Sequence, residues 1–295
     1  MPNERVTVPI DGDKVEDLTL SYELIGDSGR TWALTPGGRF RKEYPGVREL
    51  AVALAELGNR VLIYDRPNTG ESDLCFVGET ESGMQADALA ALVSHLGLGP
   101  TVFIGGSGGA RVSLLTAHRH PEVTSGLAVW MMSGGAYGLL NVGTGYCSSS
   151  IAAAWNGGMQ AVVDIPESVH SNWQEQIRSN PSNRQRLLDQ DPKEFIATME
   201  RWLFAYCPCG NTIPGITDGE MRAMPVQALV FRSGESDMYH TRATTERLAE
   251  LLPNGQLVEP PWADREWVDS KIGYRFVNWP RLAPILNDWA TKHLP

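Results

Sequence analysis

The five residues from Gly105 to Gly109 have the types and spacing of a nucleophilic serine. They read GGSGG, so Gly105, Ser107 and Gly109 fit the pattern G-x-S-x-G, with the apolar run TVFIGG before the serine and a helical pattern after it. A strand that turns directly into a helix strains the backbone of the serine, and only small residues two positions before and after leave room for that turn. The hydroxyl then stands at a helix N-terminus, where backbone N–H groups stabilise developing negative charge. A glycine-rich connection with an incidental serine is the other interpretation, and the placement between strand and helix disfavours it.

Eight β-rich segments and four intervening helical patterns surround this turn. The first two β-rich segments alternate apolar and polar residues and predict an antiparallel edge, whereas the later ones are continuous apolar runs, typical of strands buried on both faces. The β-rich segments are 6–9, 18–26, 31–35, 60–65, 101–106, 126–133, 226–234 and 256–260, and the helical patterns are 47–58, 84–97, 110–120 and 241–253. Their alternation predicts a mostly parallel sheet with helices on both faces.

The alternation stops between residues 139 and 222. That stretch has helical patterns only, separated by Pro, Asn and Gly breaks. The chain is therefore predicted to consist of a first core part (1–138), an all-helical insertion (139–222) and a second core part (223–295).

Composition and charge exclude several classes of protein. The 295 residues are 42% hydrophobic and 20% charged, enough for a sizeable core, and the net charge of −10 argues against a nucleic-acid partner. The N-terminus lacks the pattern of a signal peptide, and no apolar window approaches the ~20 residues of a membrane span. We therefore expect a cytoplasmic protein without a membrane partner.

The cysteines, at 75, 147, 207 and 209, have no disulfide or zinc spacing and are interpreted as ordinary thiols.

Four motifs occur in the order of a known family. They are TPGGRF after the third predicted strand, YDRPNTGESD after the fourth, GGSGG after the fifth and FRSGESD after the seventh. Together they resemble the α/β-hydrolase family, and the helical insertion falls where that family places its lid. The resemblance implies an α/β-hydrolase fold, with a mostly parallel central sheet, helices on both faces and an inserted helical lid.

The same resemblance assigns roles to two side chains. Ser107 is similar to the family's nucleophile. Asp237, in GESD, is similar to the triad acid, which holds an imidazole in one tautomer and stabilises its charged form. A turn-forming or helix-capping aspartate is the alternative for Asp237, but the order of Ser and then Asp fits the family.

The resemblance also implies an oxyanion hole. One N–H would come from Gly108, the residue after the nucleophile, and one from the TPGG loop, with Gly37 as the expected donor. Where the family often has His-Gly this chain has Thr35-Pro36, which leaves the choice between Gly37 and Gly38 open.

The third triad member is missing from its usual place. In the family the histidine follows the last strand, which corresponds here to residues 263–266, and the best alignment puts Arg265 there. Arginine cannot accept a proton, because its guanidinium stays charged. The usual catalytic histidine is therefore replaced at this position, and the general base remains unassigned.

Three explanations stay open. A histidine from elsewhere could reach Ser107, either His240, three residues beyond Asp237, or His170 in the insertion; the other four lie on helical patterns and are set aside. Alternatively Asp264 or Glu266 could pair with Asp237, and the like charges would raise one pKa toward neutrality and create a base.

In the third explanation nucleophilic catalysis has been lost. A serine without a general base is a weak nucleophile, and the pocket would then bind a small molecule without turnover.

The insertion and the loop after the last strand suggest what the pocket holds. Most aromatic and methionine side chains of the insertion are expected to be core. Trp262 and Trp267 flank the unusual loop, and we expect Trp262 to contact substrate. Arg39, directly after TPGG, is the residue expected to contact an anionic substrate.

These observations predict an enzyme that needs no cofactor or metal. Its substrate would be a small, moderately apolar ester, lactone or β-dicarbonyl compound, hydrolysed through Ser107. The alternatives are a non-covalent lyase, isomerase or cyclase on the same fold, and a ligand-binding protein. A homo-oligomer is compatible with the sequence.

Overall fold

A mixed sheet of eight strands forms the centre of the protein. The computed structural model describes residues 3–10, 14–169, 171–207, 209–266 and 276–295, so that His170 and Trp267 of the expectations above lie outside the described residues. The strands are β1 (Asn3–Ile10), β2 (Lys14–Ile25), β3 (Thr31–Thr35), β4 (Arg60–Tyr64), β5 (Thr101–Gly106), β6 (Thr124–Trp130), β7 (Gln227–Phe231) and β8 (Asn254–Val258).

The order of the strands confirms the predicted architecture. It is β1-β2-β4-β3-β5-β6-β7-β8. The β1–β2 and β2–β4 pairs are antiparallel, and the pairs from β4–β3 through β7–β8 are parallel. β1 and β2 thus form the antiparallel edge that their alternating residues predict, and the buried apolar runs form the parallel part.

Ten α-helices accompany the strands in the described residues. They are α1 (Val47–Glu56), α2 (Glu81–His95), α3 (Gly108–Arg119), α4 (Ala136–Val163), α5 (Gln174–Ser179), α6 (Ser182–Leu188), α7 (Pro192–Ala205), α8 (Asp218–Ala223), α9 (Arg242–Leu251) and α10 (Ala283–His293). Helix α2 begins three residues before the predicted start, because the Thr80 side chain accepts a hydrogen bond from the Gly83 N–H and caps the helix.

The strand β5 shows why the central runs are continuously apolar. Its residues Val102, Phe103 and Ile104 have no exposed surface. Val102 and Ile104 pack in the cluster that contains α1 and α10, whereas Phe103 packs in the cluster on the other side that contains α2. Both faces of the strand are covered, so successive residues must all be apolar although they point in opposite directions.

Helices α4 to α8 lie between β6 and β7, in the stretch expected to be an insertion. Helix α4 begins at Ala136, three residues before the residue at which the predicted insertion starts. Helix α4 is interrupted at Gly157 and Gly158, where Gly158 has a φ of 65°. Most of the aromatic and methionine side chains of this segment are buried as expected, but Trp155 and Phe204 are 69% and 68% exposed.

Asn183 on α6 fastens this helical segment to the core. Its side chain has no exposed surface. It accepts a hydrogen bond from the Leu74 N–H (2.8 Å) and donates to the carbonyls of Ser72 (3.0 Å) and Gln176 (3.2 Å). Leu74 and Ser72 belong to the loop after β4, so one amide joins helix α6 to that loop. Each such bond contributes about 1 kcal/mol net, and leaving the partners unpaired costs more.

No helix within the described ranges is long and apolar enough to cross a membrane.

Candidate active site

Ser107 lies in the tight turn between β5 and α3. Its backbone has a φ of 57° and a ψ of −123°, a region that non-glycine residues rarely adopt. A Cβ on Gly105 would lie 2.7 Å from the Gly109 carbonyl carbon, and a Cβ on Gly109 would lie 2.1 Å from the Thr35 carbonyl oxygen. Both flanking positions therefore require glycine, as the spacing predicts. Ser107 is partly exposed although its two neighbours are buried.

The side chain that contacts the Ser107 hydroxyl is His240. Its Nε2 lies 2.8 Å from Ser107 Oγ, and its Nδ1 lies 3.0 Å from Asp237 Oδ2. A carboxylate accepts only, so Nδ1 carries the proton that is donated to Asp237 and Nε2 presents its lone pair to the serine hydroxyl. Of the explanations left open by the sequence, this geometry fits the first, in which a histidine from elsewhere in the chain reaches Ser107. His240 lies between β7 and α9, whereas the resemblance places the histidine in the loop after β8.

Asp237 holds the histidine through both its side chain and its backbone. Its Oδ1 accepts the N–H groups of Tyr239 and His240, both at 3.1 Å. Burial raises the pKa of this carboxyl group, but the hydrogen bonds from the His240 ring and from the two backbone N–H groups outweigh it and hold the pKa below its ordinary value. Asp237 is therefore ionised at neutral pH, and the three-residue spacing to His240 fixes the imidazole against it.

The loop after β6 positions the loop that carries His240. The Gly134 N–H donates to the Tyr239 carbonyl at 3.1 Å. A Cβ on Gly134 would lie 2.0 Å from Thr244 Oγ1, and a Cβ on Gly138 would lie 2.8 Å from the Tyr239 carbonyl oxygen. The Gly134 backbone is therefore hydrogen-bonded next to His240 and lies close to the Thr244 side chain on α9, while Gly138 on α4 lies close to the Tyr239 backbone. This support is not among the features predicted from the sequence, although the run Ser133-Gly134-Gly135 after an apolar strand was a signal for it.

Ser133, in the same loop, is a second hydroxyl that the sequence analysis did not single out. Its side chain is buried, and its Oγ lies 3.5 Å from Ser107 Oγ.

The TPGG loop lies beside the start of α3. The Gly38 nitrogen is 3.3 Å from the position that a Cβ would take on Gly108. A Cβ on Gly37 would lie 3.1 Å from Ser107 Cβ. The Arg66 guanidinium donates to the Gly38 carbonyl and, at 3.5 Å, to the Gly37 carbonyl, so the loop is held by its carbonyl groups. Neither glycine N–H has a hydrogen-bond partner among the described residues.

The described residues Asp264, Arg265 and Glu266 of the loop after β8 make no hydrogen bond to Ser107. Asp264, Arg265 and Glu266 are exposed. Asp264 accepts hydrogen bonds from the Ser236 hydroxyl and, at 3.0 Å, from the Ser236 N–H, while Glu266 accepts the Ala263 N–H at 3.1 Å. The hydrogen bonds from Ser236 lower the pKa of Asp264. The expected rise of a carboxyl pKa in a pair with Asp237 is therefore not found at Asp264, because its charge faces solvent and is hydrogen-bonded.

The two expected substrate contacts differ in position. Trp262 is 8% exposed and packs in the apolar cluster that contains α1 and α10. Little of its surface is therefore accessible to a substrate. Arg39 lines a cavity of about 450 Å³ that begins directly beyond the TPGG loop. The other residues that line this cavity are Phe40, Gly145, Tyr146, Glu167, Ser168, Val169, Ser171, Asn172, Glu175 and Gln176.

No metal site forms in the part of the chain that the structure describes. Within those ranges no three His, Cys, Asp or Glu side chains come together as ligands. The Cys207 and Cys209 thiols are free.

Comparison with known proteins identifies the family. The family model described as "Alpha/beta hydrolase family" matches residues 25–271. A search of curated proteins found no match.

Many solved structures share the fold. One is a thermophilic esterase from Thermogutta terrifontis, with 20% identity, 98% of each chain covered and a TM-score of 0.59. Another is an enol-lactonase from Burkholderia xenovorans LB400, with 19% identity, 93% of this chain and 97% of that chain covered, and a TM-score of 0.58. A third is described as an N-acyl homoserine lactone degrading enzyme, with 19% identity, 97% and 99% covered, and a TM-score of 0.55. The family match over most of the chain and the shared fold lead to one conclusion: this protein is a member of the alpha/beta hydrolase family.

Proposed function

We propose that the protein is a serine hydrolase that cleaves a small ester or lactone through a Ser107–His240–Asp237 triad. The observation that carries the proposal is the hydrogen-bonded chain of these three side chains, at 2.8 Å and 3.0 Å. An aligned base at the hydroxyl is what a serine needs to become a nucleophile.

Acylation would begin with attack of Ser107 Oγ on the substrate carbonyl carbon. As the new C–O bond forms, His240 Nε2 takes the hydroxyl proton, and the carbonyl π electrons move onto its oxygen. Asp237, held ionised, stabilises the imidazolium. When the tetrahedral intermediate collapses, the C–O bond to the leaving alcohol breaks, and His240 gives the proton to that oxygen.

Deacylation would use the same groups. Water attacks the acyl-serine, His240 Nε2 takes a water proton, and the proton then passes to Ser107 Oγ as the acid is released. These steps need no cofactor.

The oxyanion of each intermediate needs two N–H donors. Gly108 at the start of α3 is one. For the other we propose Gly38 instead of the expected Gly37, because the Gly38 nitrogen lies 3.3 Å from the Cβ position of Gly108. Arg66, bonded to the Gly38 carbonyl, would hold that N–H in place.

The substrate class is supported by the family and by the fold relatives. The solved structures named above are of an esterase, an enol-lactonase and an N-acyl homoserine lactone degrading enzyme, and both ester and lactone hydrolysis break a carbonyl C–O bond. Cleavage of a β-dicarbonyl compound stays a prediction from the sequence. No described contact specifically favours a non-covalent lyase, isomerase or cyclase, or a binding protein without turnover.

A fluorophosphonate probe tests the proposal directly. An activated serine displaces fluoride and keeps the phosphonyl group, which intact-mass spectrometry detects as one added increment. We expect the wild type to be labelled and Ser107→Ala not to be. Ser133→Ala is the matched control, since its hydroxyl lies only 3.5 Å from Ser107 Oγ, and it should still be labelled. An unlabelled wild type, under conditions that label a known serine esterase, would overturn the proposal.

A further inference from the structure

Two buried arginines and one that is partly buried lie around the TPGG loop, which carries the proposed oxyanion donor Gly38 and is called the oxyanion loop below. Arg66 and Arg111 are 2% and 3% exposed, and the side chain of Arg39 is 13% exposed. Arg39 directly follows Gly38, while Arg111 lies one helical turn beyond Ser107 and donates its backbone N–H to the Ser107 carbonyl. Among the described residues the three have one carboxylate partner, Glu81, which lies 3.3 Å from Arg39.

Several nitrogen atoms of these guanidinium groups lack a hydrogen-bond partner. Arg39 Nε, Arg66 Nε and Arg111 Nη1 are buried and unpaired among the described residues. The bonds that Arg39 does make, to Glu81 and to the Tyr146 carbonyl, are long, at 3.3 to 3.5 Å. A buried guanidinium without a counter-charge or full hydrogen bonding is costly. Burial lowers the pKa of the Arg66 guanidinium, and the nearby Arg111 charge lowers it further.

Arg39 is the member of the cluster that faces open space. Its guanidinium lies 4.4 Å from the ring centre of Trp173 and 4.8 Å from that of Tyr146. These aromatic contacts fix its orientation without using its N–H groups. It lines the cavity of about 450 Å³, and Tyr146 connects that cavity to the oxyanion loop, because its hydroxyl lies 3.6 Å from the Cβ position of Gly38.

We propose that Arg39, backed by the charges of Arg66 and Arg111, forms an anion subsite, and that the ester or lactone substrate carries a carboxylate. A carboxylate matches the planar fork of arginine and supplies the second counter-charge that the cluster lacks. The inference rests on the proposed function, because it names the substrate class of the same site.

Binding without turnover tests the subsite first. Ser107→Ala protein is titrated calorimetrically with glutarate and with its neutral analogue glutaramide. Because hydrogen bonds to charged groups are strong, we expect glutarate to bind at least about tenfold more tightly than the diamide. Arg39→Gln in the same background should remove that difference, and Arg39→Lys should keep part of it. Arg247→Gln, which changes a half-exposed arginine on α9, is the control and should keep all of it.

Turnover by the wild type is the second arm. The two matched substrates are the para-nitrophenyl monoester of glutaric acid and para-nitrophenyl valerate. We expect a kcat/KM at least about tenfold higher for the charged ester, with the preference lost through KM in Arg39→Gln. Thermal unfolding of each variant shows whether it is folded, and Arg39→Lys provides the comparison if Arg39→Gln is not.

The outcomes separate the subsite from the hydrolase. Hydrolysis of both esters without preference, together with equal binding of glutarate and glutaramide, overturns the anion subsite and leaves the proposed function intact. A preference that survives Arg39→Gln in folded protein also overturns it, because the anion is then bound elsewhere. Tight binding of glutarate with neither ester hydrolysis nor fluorophosphonate labelling would support the subsite and overturn the proposed function.

Discussion

Replacing His240 by alanine should abolish most of the esterase activity. The substitution removes the group that lies 2.8 Å from Ser107 Oγ and is proposed to take its proton. A positioned general base contributes about 10²- to 10⁴-fold to a rate, and within a triad the loss lies at the upper end, because Asp237 then has no imidazolium to stabilise. We expect kcat to fall about a thousandfold or more, equivalent to at least about 4 kcal/mol of transition-state stabilisation.

The assay is steady-state hydrolysis of para-nitrophenyl valerate. KM should change little, since His240 is only 6% exposed and offers little surface to a bound substrate. Asp264→Asn is the matched control, because Asp264 lies in the loop where the family usually places its base, yet it is hydrogen-bonded to Ser236. This variant should keep kcat within about twofold of the wild type, as is typical of a surface change.

The alanine variant should remain folded. Asp237 would still accept the N–H groups of residues 239 and 240, so its charge stays hydrogen-bonded. Thermal unfolding of both variants checks this point. A folded His240→Ala protein that keeps more than about a tenth of the wild-type kcat would refute the displaced-histidine triad. A loss in Asp264→Asn as large as that in His240→Ala would place the base in the loop after β8.

Three further predictions concern the support of the site and the fold. Gly134→Ala would place its new methyl group against the Thr244 side chain at the start of α9, directly after the loop that carries the proposed base. We therefore expect kcat to fall at least about tenfold while circular dichroism stays unchanged; a wild-type kcat would contradict the support role. Asp87→Asn should destabilise the protein by about 2 kcal/mol at pH 7, because this buried carboxylate accepts from Arg119 (2.7 and 2.8 Å) and is hydrogen-bonded to His120. Burial raises the pKa of Asp87, but these partners hold it below its ordinary value. The difference in the free energy of unfolding between wild type and variant, measured with urea, is therefore complete above about pH 4 and disappears as the pH falls through the lowered pKa. A difference that does not depend on pH would contradict this. Asn183→Ala should cost about 2 to 3 kcal/mol in the same assay, because three hydrogen bonds to main-chain groups are lost, and a cost under about 0.5 kcal/mol would contradict its anchoring role.

The fold could be predicted because its signals are local. The alternating pattern of β1 and β2 and the continuous apolar run of β5 follow from which faces of each strand are buried. The ends of the elements were less predictable. Helix α2 begins at Glu81 because of the Thr80 cap, and α4 begins at Ala136, before its apolar pattern is clear.

The position of the proposed general base was predictable only as one of several alternatives. The resemblance places the base in the loop after the last strand, but residues 263–266 of that loop are exposed. His240 was one of the alternatives because it lies three residues beyond Asp237. That spacing was a physical signal in its own right, since it lets one carboxylate accept both the His240 N–H and the His240 ring. No local pattern, however, showed that the ring would also reach residue 107.

By itself the sequence determined the turn at Ser107, because neighbouring glycines and a strand-to-helix connection constrain the backbone over five residues. It likewise indicated that Ser107 and Asp237 follow two strands of a mostly parallel sheet, whose carboxyl ends lie along one edge. Only the tertiary structure decided which base faces the serine and which charges surround it. The contact between His240 and Ser107 spans 133 residues, and the loop that carries His240 is hydrogen-bonded to a third segment through the Gly134 N–H. The three arginines likewise come from separate parts of the chain. Only folding brings them together around a single carboxylate partner among the described residues, Glu81.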